Sequence, residues 1–203
     1  MQSLRPSLPF ARGHNHGTQR RWELASNLAR ANRRKVMKIR PVSSTDFEEV
    51  TEIYNHFILT SHATFELESI DVSEMSRRID VVLNENYPFL VAEESGELLG
   101  YAYAHQFRPR PAYRQSAEVS VYVKPDSERQ GIGTTLYERL IPDSFAVGAH
   151  TLIAVISLPN DASVRIHQRF GFQKTGQIRE VGRKFGRWID VEYWQLLAEN
   201  DRL

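Results

Sequence analysis

The spacing of apolar and polar positions along the chain predicts the order of its helices and strands. Alternating runs such as residues 116–124 (SAEVSVYVK) indicate strands, and runs with apolar positions three or four apart, such as residues 46–59 (DFEEVTEIYNHFIL), indicate helices. From residue 37 onward the pattern predicts the order β-α-α-β-β-β-α-β-α-β-β, antiparallel at first and with a βαβ unit later. We therefore expect one mixed α/β domain.

Turn and cap residues set the expected limits of these elements. Ser43 or Ser44 should cap the first helix, and Asp71 or Ser73 the second. Residues 183–187 (RKFGR) are predicted to form the loop between the last two strands. The predicted strands cover residues 37–42, 89–94, 98–107, 116–124, 150–157, 171–182 and 188–197, and the predicted helices cover 46–59, 71–86, 131–145 and 161–170.

Residues 1–36 differ in composition from the rest of the chain. They hold eight arginine and lysine residues against Glu23 as their one acidic residue, whereas the whole chain of 203 residues has a net charge of +1. Such a segment buries little apolar surface, so we expect a mostly disordered extension before a domain of residues 37–203. An organellar transit peptide or a basic arm for nucleic acid is the alternative, and we expect no nucleic-acid partner.

The composition of the chain narrows its class. The chain is 41% hydrophobic and 25% charged, which is typical of a soluble globular protein, and no apolar run is long enough to predict a membrane span. It contains no cysteine, which excludes disulfides, thiolate metal ligands and a cysteine nucleophile and fits the reducing cytoplasm. His14 and His16 stand without carboxylates nearby, so we expect no metal site.

The segment Gly131-Ile132-Gly133 joins a predicted strand to a predicted helix. The N-terminus of a helix presents unpaired backbone N–H groups and the positive end of its dipole, and glycine lets an anion approach that backbone closely. Arg129 adds a positive charge beside the turn. The turn therefore favours a pyrophosphate as ligand, with an ordinary glycine-containing turn as the alternative.

Two common phosphate motifs do not fit this turn. A dinucleotide fingerprint would need a third glycine at the position of Leu136, and a P-loop would need a Gly-Lys-Ser/Thr sequence that is absent. The phosphate therefore belongs to another class of ligand.

Five stretches, in the same order along the chain, resemble one family. They are IYNHFILTSHATFE (53–66), FRPRPAYRQSAEVSVYV (107–123), SVYVKPDSERQGIGTTLYERLI (120–141), LIAVISLPNDASVRIHQRFGF (152–172) and VGRKFGRWIDVEYWQ (181–195). Together they are similar to the GNAT acyltransferase superfamily and, within it, to the phosphinothricin N-acetyltransferase group. The resemblance covers essentially all of residues 37–203. It implies a mostly antiparallel sheet that splays open in its middle, acetyl-coenzyme A in the cleft, a small-molecule amine as the other substrate, and a homodimer.

The resemblance also implies which residues hold the coenzyme. The family's pyrophosphate signature, Arg/Gln-x-x-Gly-x-Gly/Ala, matches at Gly131 and Gly133 but has Glu128 at its leading position. Asn160 resembles the family's coenzyme-contacting asparagine, and it can also serve as a helix N-cap. The expected coenzyme contacts are Val121, Val123, Arg129, Gln130, Gly131, Ile132, Gly133, Thr134, Asn160 and Ser163.

Glu118 is the expected general base. Alternation along its strand puts Glu118, Ser120 and Tyr122 on one face and three valines on the other, and a carboxylate there is placed to take a proton from an ammonium group. The resemblance points to the same residue, with a solvated glutamate as the alternative. It also gives His167 the place of the thiolate-protonating tyrosine of most of the superfamily, so His167 is the expected acid or relay, with a packing histidine as the alternative.

Residues 108–115 (RPRPAYRQ) form a basic loop in which the family's Arg-x-Ala-Tyr pattern recurs from Arg110 to Tyr113. A guanidinium binds a carboxylate through two hydrogen bonds. We expect Arg110 and Tyr113 to hold the substrate's carboxylate and backbone, Phe65 to wall the pocket, and Glu118 to contact the amine. Lys184 and Trp188 are further candidates for covering the site.

The sequence therefore predicts an acetyl-coenzyme A-dependent N-acetyltransferase of small amino acids or analogues. Phosphinothricin, methionine sulfoximine and methionine sulfone are the substrates that the resemblance implies. Transfer should be direct, since no cysteine is present to carry the acetyl group. The alternatives are a protein or peptide N-acetyltransferase and a non-catalytic acyl-coenzyme A-binding module. Glu128 in the signature gives the binding module a little weight, whereas the presence of Glu118, Asn160 and His167 argues against it.

Overall fold

The computed structural model describes residues 37–128 and 130–198 and contains the predicted order of elements. The strands are β1 (Lys38–Pro41), β2 (Phe89–Glu94), β3 (Glu97–Gln106), β4 (Ser116–Val123), β5 (Thr151–Ser157), β6 (Gln173–Lys184) and β7 (Arg187–Leu197). The α-helices are α1 (Phe47–Thr60), α2 (Val72–Asn84), α3 (Ile132–Ala146) and α4 (Asp161–Arg169). The expected disorder of residues 1–36 lies outside the described residues, and the predicted boundary at Met37 stays a prediction.

One predicted helix cap is confirmed, at Asp71, whereas Ser43 caps a 3₁₀ turn ahead of α1 and Asp46 is the N-cap of α1 itself. The backbone N–H and the hydroxyl of Ser43 both donate to the carboxylate of Asp46, at 2.7 and 2.9 Å, around a short 3₁₀ turn that leads into α1. Asp71 accepts a hydrogen bond from the backbone N–H of Glu74 at 2.8 Å and caps α2. The Asp71 carboxylate thus satisfies a donor that α2 itself leaves without a partner.

The last two strands extend further than predicted. β6 continues to Lys184 and β7 begins at Arg187, so the connection consists of Phe185 and Gly186 alone. Both residues have left-handed backbone angles, with φ of 49° and 75°, as a tight type I′ hairpin turn requires. The prediction of a five-residue loop at 183–187 is wrong because its charged residues belong to the ladder, where Lys184 pairs with Arg187.

The sheet opens in its middle, as expected. Its strand order is β1-β2-β3-β4-β5-β7-β6, and only β4 and β5 run parallel among the described pairs. These two strands pair from Ser116 to Glu118 of β4 with Thr151 to Ile153 of β5, and no further. Beyond Glu118 they part, so their facing edges border a cleft between the two halves of the sheet.

Helices cover both faces of the sheet. Tyr122 of β4 contacts the rings of Tyr54 and Phe57 on α1, with centroids 5.5 and 5.2 Å apart. Val121, its neighbour in the chain, instead approaches Gly133 at the start of α3. The predicted alternation of β4 is therefore confirmed, with α1 on one face and α3 on the other. Within the described ranges, no helix is long and apolar enough to cross a membrane.

Candidate active site

The cleft between β4 and β5 has a volume of about 570 Å³ and reaches the first turns of α3 and α4. Eight of the ten expected coenzyme contacts line it: Val121, Val123, Gly131, Ile132, Gly133, Thr134, Asn160 and Ser163. Gln130 is exposed and is not part of the lining. Arg129 lies outside the described residues.

The glycine turn gives the cleft an anion-binding end. Gly131 is the N-cap of α3, with a φ of 80° that favours glycine. The first hydrogen bond of the helix runs from the N–H of Thr135 to the carbonyl of Gly131, at 3.0 Å. The N–H groups of Ile132, Gly133 and Thr134 precede that bond and are available to a phosphate.

Gly133 has a different reason to be glycine. A Cβ at this position would lie 3.2 Å from Cδ1 of Ile166 on α4 and 3.7 Å from Cγ2 of Val121 on β4. The first contact is tighter than ordinary van der Waals distance, so a side chain here would force Ile166 to shift by a few tenths of an ångström. Gly131 therefore sets the backbone conformation of the turn, and Gly133 permits the close packing beside it.

Asn160 caps α4. Its side-chain oxygen accepts a hydrogen bond from the backbone N–H of Ser163 at 3.1 Å, and both residues line the cleft. The capping role is confirmed, and the expected contact with the coenzyme stays a prediction.

Two arginines that the sequence reasoning missed also line the cleft. Arg165 and Arg169 are exposed, lie four residues apart on α4, and border the same cleft as Glu128. Their spacing puts them on one side of the helix, which was a signal available in the sequence. The pyrophosphate signature of this chain has the acidic Glu128 where the family has a basic or amide residue. Arg165 and Arg169 bring positive charge to the same cleft.

Glu118 lies where the strands part. It is the last residue of β4 that pairs with β5, and it is half-buried. Directly across from it on β3 lies His105. Burial raises the pKa of the Glu118 carboxyl above its ordinary value, while the electrostatic influence of His105 and Arg108 lowers it. A carboxylate with a raised pKa is a better proton acceptor than an ordinary glutamate, as a general base requires.

His167 is almost fully buried, with 3% of its surface exposed. Its Nδ1 lies 2.7 Å from the carbonyl oxygen of Ser163, so Nδ1 carries the proton and donates it there. Its Nε2 lies 3.0 Å from the hydroxyl of Tyr137, which donates to it. Burial lowers the pKa of His167 to about 4, so the ring is neutral at pH 7 and Nε2 has no proton to give. These contacts favour a role in orienting Tyr137 over the expected role as acid.

Tyr137 is a functional candidate that the sequence reasoning missed. It lies on α3, is fully buried and lines the cleft. Burial raises the pKa of its phenol well above the usual range, so the hydroxyl stays protonated and can donate a hydrogen bond. In the sequence it reads as an ordinary core aromatic, because its partner His167 is thirty residues away on another helix.

The depressed pKa of His167 predicts a loss of stability in acid. Since the unfolded chain binds a proton at His167 below about pH 6.5 and the folded chain does so only near pH 4, stability falls between these values, by about 3 kcal/mol in full. His167→Asn should abolish this part of the fall. Urea unfolding at pH 7 and pH 4.5 measures it. His56→Asn, at an exposed histidine of α1, should keep the wild-type fall, and an unchanged fall in His167→Asn would contradict the assignment.

Comparison with known proteins identifies the family of the chain. The Acetyltransferase (GNAT) domain family matches residues 39–193. The chain belongs to the GNAT acetyltransferase family. Phosphinothricin N-acetyltransferase of Streptomyces viridochromogenes is 40% identical over 162 residues, which are 80% of this chain and 88% of that protein. L-Methionine sulfoximine/L-methionine sulfone acetyltransferase of Salmonella typhimurium is 38% identical over 160 residues, 79% of this chain and 94% of that protein.

A solved structure supports the same family. A GNAT superfamily phosphinothricin acetyltransferase from Sinorhizobium meliloti, in complex with AcCoA, is similar with a TM-score of 0.79 and 35% sequence identity. The similarity covers 82% of this chain and 91% of that chain. The expected GNAT fold is therefore confirmed.

The cleft of this GNAT domain fits acetyl-coenzyme A. Its helix start suits the pyrophosphate, because the backbone of Gly131 to Thr134 is open to an anion and carries no bulky side chain at either glycine. The edges of β4 and β5 beyond Glu118, which do not pair with each other, offer backbone groups to the amides of the pantetheine arm. Within the described part of the chain, no group of three or more histidine, aspartate or glutamate side chains could hold a metal ion.

The expected substrate residues are not gathered at the cleft. Arg110 and Tyr113 are exposed, and neither lines the cleft or the second pocket described below. The ring of Phe65 lies directly on Gly182 of β6, leaving no room for a Cβ there. Proline on both sides of Arg110 fixes the course of the loop, so the direction of each arginine could not be read from its spacing.

The two candidates for covering the site differ from each other. Lys184 is buried, and its ammonium donates to the carbonyl of Thr64 at 2.8 Å, which ties the segment after α1 to the last hairpin. Burial lowers the pKa of that ammonium. Trp188 is 59% exposed, and its ring lies 5.7 Å from the guanidinium of Arg183. Lys184 therefore holds the wall of the site in place, and Trp188 faces solvent.

A second pocket, of about 400 Å³, lies between α2 and β3. Its cationic lining consists of Arg77, Arg78 and Arg108, joined by His105. Its aromatic lining includes Tyr54, Phe89, Tyr101, Tyr103 and Phe107. Because His105 is the cross-strand neighbour of Glu118, this pocket is on the same face of the sheet as the Glu118 side chain. Of the three arginines, Arg108 is the one whose charge acts on the pKa of Glu118.

Proposed function

We propose that this GNAT protein transfers the acetyl group of acetyl-coenzyme A to the α-amino group of small amino acids or their analogues. The observation that carries the proposal is the position of Glu118. Val119, next to it in the chain, lines the coenzyme cleft. His105, opposite it on β3, lines the second pocket with its three arginines. A proton acceptor thus lies between a site for the acetyl donor and a site for an anionic acceptor.

The chemistry of the substrates named for the relatives supports this substrate class. Phosphinothricin, methionine sulfoximine and methionine sulfone each carry an α-amino group, an α-carboxylate and a polar group on phosphorus or sulfur at the end of the side chain. A pocket with three guanidiniums and an aromatic wall suits a carboxylate and the stem of such a side chain. We propose these three compounds as substrates.

The residues of this chain would act as follows. Acetyl-coenzyme A supplies the activated carbonyl, and the N–H groups at the start of α3 hold its pyrophosphate. Glu118 takes a proton from the substrate ammonium, directly or through a water, and so makes the amine nucleophilic. Tyr137 lies in the cleft and holds its one hydroxyl proton towards His167, and it would donate that proton to the departing thiolate by turning from His167. Transfer is direct, since the chain has no cysteine to carry the acetyl group.

A thiol-release assay across a panel of acceptors tests the proposal. We expect turnover with methionine sulfoximine, methionine sulfone and phosphinothricin, and much less with their methyl esters or with the decarboxylated amines. Mass spectrometry of the product should show one acetyl group on the α-nitrogen. Preferential acetylation of peptide N-termini would instead assign a peptide N-acetyltransferase, and coenzyme binding without any turnover would assign a binding module.

Two arginines of the same loop provide a matched test of the acceptor site. Arg108→Ala should raise the Michaelis constant for methionine sulfoximine by roughly 10-fold or more, because a hydrogen bond to a charged group contributes about 1.5–3 kcal/mol. Arg110→Ala, two residues away at a side chain that does not line the second pocket, should have a smaller effect. Neither variant should change the Michaelis constant for acetyl-coenzyme A. If Arg110→Ala has the larger effect, the loop moves on binding and the original expectation for Arg110 holds.

We also propose that the protein is a cytoplasmic homodimer. The dimer is supported by apolar side chains on the last hairpin, where Ile178, Val181, Phe185 and Trp188 are 44% to 59% exposed. Exposed apolar surface of this kind marks protein–protein contacts. Sedimentation equilibrium should give twice the mass of the chain.

The absence of cysteine supports the cytoplasmic location, because the cytoplasm is a reducing compartment.

A further inference from the structure

Three cross-strand pairs form a ladder on the face of the sheet that carries Glu118. Tyr101 and Tyr122 stack with their centroids 5.2 Å apart. The next pair joins Tyr103 to Ser120, and a side-chain hydrogen bond between them acts on the pKa of Tyr103. The third pair joins His105 to Glu118.

The pairing brings the two side chains of the third pair together. Phe107 donates its backbone N–H to the carbonyl of Ser116 at 3.0 Å, so His105 and Glu118, two residues further along each strand, are again a hydrogen-bonded pair of the antiparallel ladder. Side chains of such a pair lie on one face with their Cβ atoms about 5 Å apart. The influence of His105 on the pKa of Glu118 agrees with that distance.

The tautomer of His105 leaves one nitrogen available. Nδ1 lies 3.1 Å from the backbone carbonyl of Gln106, so in the neutral ring Nδ1 carries the proton and donates it there. Nε2 then has a free lone pair. The ring is fixed by stacking on Tyr103, with centroids 5.8 Å apart, and it is half-buried at the wall of the second pocket.

The charged and titratable groups around the second pocket come from several elements. From α2, Arg77, Arg78 and Glu85 line the same pocket, and Arg108 lines it from the loop after β3. Tyr54 on α1, with Tyr101 and Tyr103 on β3, completes the titratable neighbours that line it. Arg77 is paired with Glu74, and Arg78 with both Glu74 and Glu66, so the charges around the pocket nearly balance and negative charge does not dominate the path from the pocket to solvent.

We propose that His105 receives from Glu118 the proton that Glu118 removes from the substrate, and passes it to solvent through the second pocket. First an N–H bond of the substrate ammonium breaks and an O–H bond forms on Glu118. That O–H bond then breaks as an N–H bond forms at Nε2 of His105, and the imidazolium loses its proton to water or buffer. The inference rests on the proposed function, because it needs an ammonium substrate, and it gives His105 a role that acts through Glu118.

Chemical rescue separates a proton relay from a packing role. His105→Gln should lower kcat about 10- to 100-fold, within or just below the usual range for proton transfer, with Michaelis constants within about twofold of wild type. His105→Ala should show a similar loss, and added imidazole should restore kcat in proportion to its concentration of free base. Glu118→Gln should not respond to imidazole. His56→Gln, at the exposed histidine of α1, should behave as wild type.

The outcomes are distinct. Wild-type turnover in His105→Gln would overturn the inference, and so would a loss in His105→Ala that imidazole does not restore while the melting temperature stays unchanged. If both His105 variants have a lowered melting temperature, the double variant Glu118→Gln/His105→Gln decides. A relay predicts that His105→Gln lowers kcat little further when Glu118 is already glutamine. A full additional loss of kcat overturns the inference. Absence of wild-type turnover with every amino acid of the panel would overturn the proposed function and this inference with it, whereas turnover that His105→Gln leaves intact overturns this inference alone.

Discussion

Glu118→Gln should lower kcat by about 10²- to 10⁴-fold with methionine sulfoximine as acceptor, which is the usual contribution of a general base. Glutamine keeps the shape of the side chain but does not accept a proton. Since Glu118 lies where the strands part, its neighbours should stay in place and both substrates should still bind. Steady-state kinetics at saturating substrates measures the loss.

The pH dependence of the wild-type rate is a second test of Glu118 as the general base. Burial raises the pKa of Glu118, so the carboxyl is protonated and inactive below a pH that lies above the ordinary range of glutamate. The rate should therefore rise with pH through that value, and this acid limb should be missing in Glu118→Gln. Glu138→Gln, at an exposed glutamate of α3, should keep both the limb and the turnover. Near-wild-type turnover of Glu118→Gln with an unaltered limb would place the base elsewhere.

Gly131→Val should weaken coenzyme A binding by roughly 10- to 150-fold. The φ of 80° at Gly131 is strained for a β-branched residue, so the turn must change its backbone. Hydrogen bonds from its N–H groups to the pyrophosphate are then lost, at about 1.5–3 kcal/mol for a charged one. Calorimetric titration with coenzyme A measures the change, and the affinity for the amino acid should not move.

Gly148 offers a matched control for this prediction. It follows α3, has a φ of 100°, and has open space where a Cβ would lie, as Gly131 does. Gly148→Val should therefore cost comparable strain and stability while leaving the affinity for coenzyme A unchanged. Equal losses of affinity in the two variants would mean that the turn acts only through the stability of the domain.

The fold could be predicted because its signals are local or are carried by long motifs. Alternation along residues 116–124 gave the correct faces of β4, and Asp71 marked the start of α2. The five stretches that resemble the family specified the splayed sheet, and the pairing of β4 with β5 ends at Glu118 as that fold requires. The one misplaced loop, 183–187, came from reading charged residues as loop residues, although they pair in an edge hairpin.

The site could be predicted only in part, because it depends on contacts between distant elements. The glycine turn and Glu118 lie on neighbouring segments, and sequence order was enough to connect them. The contact between Tyr137 and His167 joins two helices, and no local pattern encodes it. Likewise, nothing in a loop interrupted by prolines indicated that Arg108, rather than Arg110, lines the second pocket and acts on the pKa of Glu118. His105 became a candidate only when the register of β3 and β4 was known.

The central claim is that the donor in the cleft and the amine in the second pocket meet at Glu118. The most direct measurement is a crystal structure with coenzyme A and methionine sulfoximine bound together. We expect the pyrophosphate on the N–H groups at the start of α3, the sulfur where β4 and β5 part, and the amine within hydrogen-bond distance of the Glu118 carboxylate or one water away, with its carboxylate towards Arg108. Coenzyme outside the cleft, or an amine bound out of reach of Glu118, would contradict the account.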